Sequence, residues 1–132
     1  MSDPIENKVR LVLNNGVGDI IPFNDDIFDD ARKAFYSLSK GWQKMKALRH
    51  IFHICHATGQ VDKYLEITEE ARQMRELLPY KADVLFFGGS ICEDDCRYQQ
   101  ALDYYLRCLE FDTDTGWLRY GREINTAFCY LM

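Results

Sequence analysis

Three stretches of equal length decide the fold of this chain: FDDARKAFYSL (28–38), VDKYLEITEEA (61–71) and YQQALDYYLRC (98–108). Each carries its packing side chains at the same four positions, as at Tyr98, Ala101, Tyr105 and Cys108. A spacing of three, four and three residues keeps such side chains on one stripe of a helix. The copies begin at 28, 61 and 98, and a repeat period of this size is typical of stacked helix pairs.

The composition is that of an ordinary soluble domain. The chain has 132 residues, of which 47% are hydrophobic and 28% charged, enough for one domain with a real core. A formal net charge of −5 argues against nucleic acid as a partner. The apolar runs are too short to cross a bilayer, and the first residues lack a signal-peptide pattern. We therefore expect a cytoplasmic protein with no nucleic-acid or membrane partner.

Hydrophobic periodicity predicts seven helices, with no segment that alternates as a strand would. The first four predicted helices span 3–13, 25–40, 42–58 and 61–78. The other three carry apolar residues from Ala82 to Ile91, from Tyr98 to Leu109 and from Trp117 to Leu131. Asn24 is a candidate N-cap, and Phe23 and Phe28 have the spacing of a hydrophobic staple. Gly41 is predicted to close one helix and Gly59 the next.

Cysteine and histidine residues raise the question of a metal site. His50, His53, Cys55 and His56 crowd onto one helix, but a structural zinc ion needs four ligands and no second pair is evident. Cys92 and Cys96 lack the CxxC spacing. The five cysteines are an odd number and lie mainly within helical patterns, so free packing thiols are favoured over disulfides. We predict no metal and no cofactor.

The carboxylates do not point to catalysis. Glu69-Glu70, Glu93-Asp94-Asp95 and Asp112 fall at helix starts, turns or solvent-facing positions. No nucleophile with an adjacent base and no phosphate-binding glycine loop is present in the sequence. We therefore predict that the protein is not an enzyme.

The spacing of small and apolar residues in the two later repeats resembles the sequence pattern of a known family. Leu85, Gly88, Gly89 and Cys92 fall at first-helix spacings, and Ala101 and Tyr105 at second-helix spacings, of the tetratricopeptide repeat. Leu48, Ile51, Phe52 and Cys55, followed by Tyr64 and Thr68, keep the same offsets one repeat earlier. The two glycines would make room where the helices of one hairpin approach closely. The resemblance covers residues 24–132.

This resemblance implies an all-α fold, a right-handed α-solenoid of about three helical hairpins. Residues 24–132 would form a tetratricopeptide-like repeat domain, preceded by an N-terminal helix and loop at 1–23, with a single domain overall.

In that family the first helices line a concave groove that binds peptides. Projecting the non-packing faces places in the groove Lys46, Arg49, His53, His56, Phe86, Ser90, Arg119, Arg122 and Thr126. A locally basic groove suits an acidic peptide, the C-terminus of a polypeptide or a phosphate. We therefore expect an adaptor or scaffold that binds a partner protein or peptide.

Two alternatives stay open. The groove residues could be ordinary exposed charges of amphipathic helices. The last helix has no visible partner in the repeat pattern, which favours an oligomerisation or regulatory module within a longer signalling protein, with self-association through the C-terminal helix.

Overall fold

The computed structural model describes residues 23–112 and 117–132. Regular structure in these two ranges is entirely helical, as the sequence predicted. The elements are α1 (Asp25–Ser37), α2 (Gly41–Thr58), α3 (Val61–Ala71), a 3₁₀-helix (Arg75–Tyr80), α4 (Lys81–Asp94), α5 (Tyr98–Phe111) and α6 (Trp117–Leu131). The predicted N-terminal helix, most of the loop after it and residues 113–116 lie outside the described residues.

Local signals set the start of α1 as predicted. The side chain of Asn24 accepts a hydrogen bond of 3.1 Å from the backbone N–H of Ile27. The rings of Phe23 and Phe28 lie 5.4 Å apart across the helix start, as a hydrophobic staple requires. Gly59 ends α2 in the left-handed conformation, with φ of 72°, which glycine adopts without steric penalty.

Two helix ends differ from the prediction. Helix α1 ends at Ser37, and Gly41 begins α2 instead of closing α1. The cause lies on the next helix: Lys44 of α2 donates a 3.0 Å hydrogen bond to the carbonyl of Phe35, so a terminal carbonyl of α1 is satisfied from outside. Helix α3 ends at Ala71 instead of Leu78, and a separate 3₁₀-helix, which contains Pro79 and buries Leu77, follows it.

Two compact units, 1–64 and 65–132, make up the protein, and the boundary between them falls inside α3. In the described part of the first unit, α1 packs on α2. Helix α1 buries Phe28, Ala31 and Phe35, three members of the first sequence repeat. The ammonium of Lys44 lies 4.9 Å from the centre of the Phe35 ring, so the buried lysine contacts both the carbonyl and the ring of one residue.

The second unit is built around α5, which packs on α4 and on α6. Gly88 and Gly89 of α4 make room for two tyrosine rings of α5. A Cβ at Gly89 would lie 2.5 Å from the ring of Tyr105, and one at Gly88 would lie 3.1 Å from the ring of Tyr104. Ala101, also on α5, is fully buried. The sequence interpretation of these glycines as close-approach positions is confirmed.

None of the five cysteines forms a disulfide. Cys55, Cys92, Cys108 and Cys129 are buried, whereas Cys96 is exposed in the turn after α4, where its φ is 61°. Burial raises the pKa of the Cys55 thiol to about 12 and that of Cys108 to about 11. These buried groups therefore remain uncharged thiols that pack as small apolar side chains.

Gly89→Ala should lower the free energy of unfolding by about 1–3 kcal/mol, because the added methyl group must displace the buried Tyr105 ring. Gly121 on α6 is the matched control, since a Cβ there meets nothing within 4 Å. Gly121→Ala should raise the free energy of unfolding by about 0.5–1 kcal/mol through helix propensity. Urea denaturation measures both, and a stabilising Gly89→Ala would contradict the close approach of α4 and α5.

Candidate functional site

Four of the predicted site residues lie on one face of α2. Lys46, Arg49, His53 and His56 follow one another at spacings of three, four and three residues, which aligns them along the helix. Lys46, Arg49 and His56 are exposed, and His53 is half-buried. We call this set the cationic face of α2.

Helix α2 differs in charge from the rest of the protein. It carries three of the 16 lysine and arginine residues, all three histidines and none of the 21 aspartate and glutamate residues. The whole sequence, by contrast, has a formal net charge of −5. An exposed helix face with cations and no carboxylate of its own favours anionic groups in a ligand.

Aromatic contacts hold the histidines of the cationic face. The ring of Phe52 stacks on that of His56 at 5.5 Å with an interplanar angle of 11°. Phe52 also contacts the His53 ring edge-on, at 5.6 Å. Burial lowers the pKa of His53 below its usual 6.5, and the nearby His50, Arg49 and His56 lower it further. His53 is therefore mainly neutral at neutral pH.

A cleft of about 220 Å³ lies beside this face, between the end of α1 and the start of α2. Ala34 of α1 and Leu38, the residue after α1, line one side, and Trp42, Ala47 and Lys46 are among the residues that line it from α2. Lys46 belongs to both the cleft and the cationic face. The sequence analysis did not predict this cleft. The signal in the sequence was Trp42, a large aromatic residue in the first turn of a helix. In the structure its side chain is 56% exposed.

Phe86 and Ser90 of α4 were also predicted to line the groove, and both are half-buried within the second unit. The Phe86 ring lies 5.7 Å from the ring of Tyr105. The hydroxyl of Ser90 lies 3.5 Å from that of Tyr105, at the limit of a hydrogen bond. Both side chains thus help to fix the buried tyrosine of α5.

Arg122 and Thr126 were predicted to face a ligand, and the structure places both in the interior. Arg122 is 4% exposed, forms an ion pair with Asp83 and lies 2.9 Å from a carboxylate oxygen of Asp112. Its guanidinium also lies over the ring of Phe86, 5.1 Å from the centroid. The hydroxyl of Thr126 donates a 2.8 Å hydrogen bond to the Arg122 carbonyl. The prediction that these two residues are exposed is wrong.

Arg119, the third predicted residue of α6, is half-buried and bound within its own unit. Its guanidinium donates to the carbonyls of Leu109 and Asp112 at 3.3 and 3.2 Å, at the end of α5. It also pairs with Glu123 one turn along, at 3.1 Å. Arg119 therefore caps the C-terminus of α5, where a cation is favourable.

The error on α6 has a single physical origin, the rotation of the helix about its axis. Tyr120, Ile124, Phe128 and Leu131 recur along α6 at a spacing that is typical of the packing face of a helix. In the structure these side chains are 57%, 50%, 44% and 85% exposed. The face with Arg122 and Thr126 points inward instead, because carboxylates of the same unit pair with the guanidinium.

Comparison with known protein families, with characterised proteins and with solved structures finds no match for this sequence. Among the described residues, no three side chains of His, Cys, Asp or Glu are grouped so as to hold a metal ion. Within the same ranges, none of the helices has the length and apolar character needed to cross a bilayer. The resemblance to tetratricopeptide repeats stays a prediction.

Arg122→Ala should lower the free energy of unfolding by about 3–5 kcal/mol, because it leaves the carboxylate of Asp112 buried without its cation. Arg49→Ala is the control, an exposed arginine whose loss should change stability by less than about 0.5 kcal/mol. Guanidinium chloride denaturation compares the two variants. Equal, small effects would contradict a structural role for the buried ion pairs.

Proposed function

We propose that this protein is a protein-interaction module, an adaptor or scaffold that binds an acidic segment of a partner along α2. The cationic face of Lys46, Arg49, His53 and His56 carries this proposal. It lies on a helix without any carboxylate, in a protein with a formal net charge of −5. Aspartate and glutamate side chains of a partner would meet attraction from each of these residues that is charged.

Helix α2 is already folded before a ligand binds, so it presents these side chains in a preformed arrangement. Helix α2 is anchored through Leu48, Ile51 and Cys55, all fully buried, so its exposed face is already positioned. A preformed surface loses little conformational entropy when it binds. Because the cations are exposed, each ion pair contributes at most about 1 kcal/mol, and binding should be modest and sensitive to salt.

The proposal also has a finer form. In this form the helical hairpins belong to a right-handed, tetratricopeptide-like solenoid. The recurring pattern at 28–38, 61–71 and 98–108 supports this arrangement. Arg122 and Thr126 are buried and are left out of the ligand-binding set.

A labelled poly-glutamate peptide tests the charge component. Lys46→Glu with Arg49→Glu should weaken its binding about tenfold, because two exposed attractions become repulsions. Arg32→Glu with Lys33→Glu on α1 makes the same charge change at two other exposed positions and is the matched control. Fluorescence anisotropy gives the affinities. Equal losses in the two double variants, or no binding to the unaltered protein, would overturn the proposal.

Binding of the same peptide should strengthen as the pH falls below about 6.5, the usual pKa of histidine, because the pKa of His53 lies below that value. His53 is mainly neutral at neutral pH because its pKa is lowered, so its protonation adds a cation to the face only in acid. His53→Gln should reduce this pH dependence. A pH dependence unchanged by that substitution would exclude His53 from the binding face.

A second candidate function, self-association, is favoured by the exposed stripe of α6. Tyr120, Ile124, Phe128 and Leu131 carry no charge and lie outward at helical spacing. A continuous exposed apolar stripe commonly marks an interaction surface, and two copies of one stripe can pair about a two-fold axis. The protein would then serve as an oligomerisation or regulatory module.

Sedimentation velocity tests this second candidate. The unaltered protein should approach twice its monomer mass as concentration rises, and Ile124→Glu should keep it monomeric by placing a charge in the apolar stripe. Leu78→Glu, at an exposed position on the 3₁₀-helix, is the control and should still associate. A strict monomer at every concentration would rule out self-association.

A further inference from the structure

The cleft between α1 and α2 has the size of a site for one side chain. Its volume is about 220 Å³, below the range of roughly 300–1,000 Å³ that pockets for whole small molecules occupy. Ala34, Leu38, Ala47 and the exposed ring of Trp42 give it an apolar lining. Exposed tryptophan at such a position is typical of residues that contribute strongly to protein binding.

The polar part of the cleft consists of Gln43, Lys46 and His50, with no carboxylate among them. Lys46 lies on its lining and is also the first residue of the cationic face, so the cleft and the face are continuous. Helix α2, which supplies most of the lining, has no carboxylate. A ligand that fills the cleft with an apolar group would therefore meet a positive potential directly beside it, which favours a neighbouring anion and disfavours a neighbouring cation.

We propose that this cleft binds one aliphatic or aromatic side chain of a partner segment, and that Asp or Glu next to it in the segment meets Lys46. This inference rests on the proposed function and adds to it the anchor that fixes the acidic segment in register. Charge supplies attraction along α2, whereas the cleft supplies selectivity, because few acidic segments place an apolar side chain at the required position.

Two acidic peptides of identical charge, one with a central leucine and one with a central serine, test the proposal on the 132-residue protein. We expect the leucine peptide to bind about tenfold more tightly, because only leucine buries apolar surface in the cleft. Nuclear magnetic resonance titration with ¹⁵N-labelled protein gives both affinities. The indole N–H of Trp42 should shift with the leucine peptide and much less with the serine peptide.

Two variants remove the cleft in different ways. Trp42→Ala removes an exposed side chain that forms one wall of the cleft, and Ala34→Met fills the cleft from α1. Each variant should abolish the tenfold difference in affinity between the two peptides. Tyr130→Ala is the control, since it also removes an exposed aromatic ring but lies outside the cleft. It should preserve the full difference.

The outcomes separate the two proposals. Equal affinity for both peptides, with no change at Trp42, overturns the anchor cleft and leaves the cationic face of α2 intact. Absence of binding by either peptide overturns both. A Trp42 signal that moves with protein concentration alone identifies a second copy as the occupant and also overturns the inference.

Discussion

A single buried guanidinium determines how the second unit is assembled. Arg122 of α6 pairs with Asp83 on α4 and with Asp112 just beyond α5, so one side chain ties three helices together. Apolar burial is non-directional and tolerates several rotations of a helix, whereas a buried charge must meet its partner. The ion pairs therefore fix the rotation of α6, and the apolar stripe of that helix is left exposed as a consequence.

In each of the two units, a polar side chain also forms a hydrogen bond between helices that pack through apolar side chains. In the first unit, Lys44 reaches the carbonyl of Phe35 between α2 and α1. In the second, the hydroxyl of Tyr104 donates a 2.6 Å hydrogen bond to Glu69 of α3. Glycine at 88 and 89 lets the rings of α5 approach α4 closely enough for such contacts. The glycines therefore set the distance between α4 and α5, and the interhelical hydrogen bonds fix how the packed helices are aligned along their axes.

Features governed by neighbours in sequence could be predicted. The cap at Asn24, the staple at Phe23 and the left-handed Gly59 depend on a few adjacent residues, and the spacing of the cationic face follows from helix geometry alone. Three other features depend on distant contacts. The early end of α1 needs Lys44, and the 3₁₀-helix positions Leu77, which is almost fully buried. The rotation of α6 needs Asp83, 39 positions before Arg122.

The candidate site also has a part that depends on neighbouring residues and a part that depends on distant contacts. Its α2 half could be predicted because four residues at regular spacing share one helix face. Its α6 half could not, since hydropathy assigns arginine to the surface and takes no account of a carboxylate elsewhere in the fold. The cleft beside Trp42 was also missed, because it depends on the extended backbone at Leu38 and Lys40 between two helices.

The turn after α4 gives the protein an experimental advantage. Cys96 is exposed there, whereas the other four cysteines are buried. A maleimide reacts with an accessible thiolate, so a fluorophore or spin label would attach at Cys96, between α4 and α5. Spectroscopic distance measurements could therefore begin from the natural sequence, with no cysteine removed from the core.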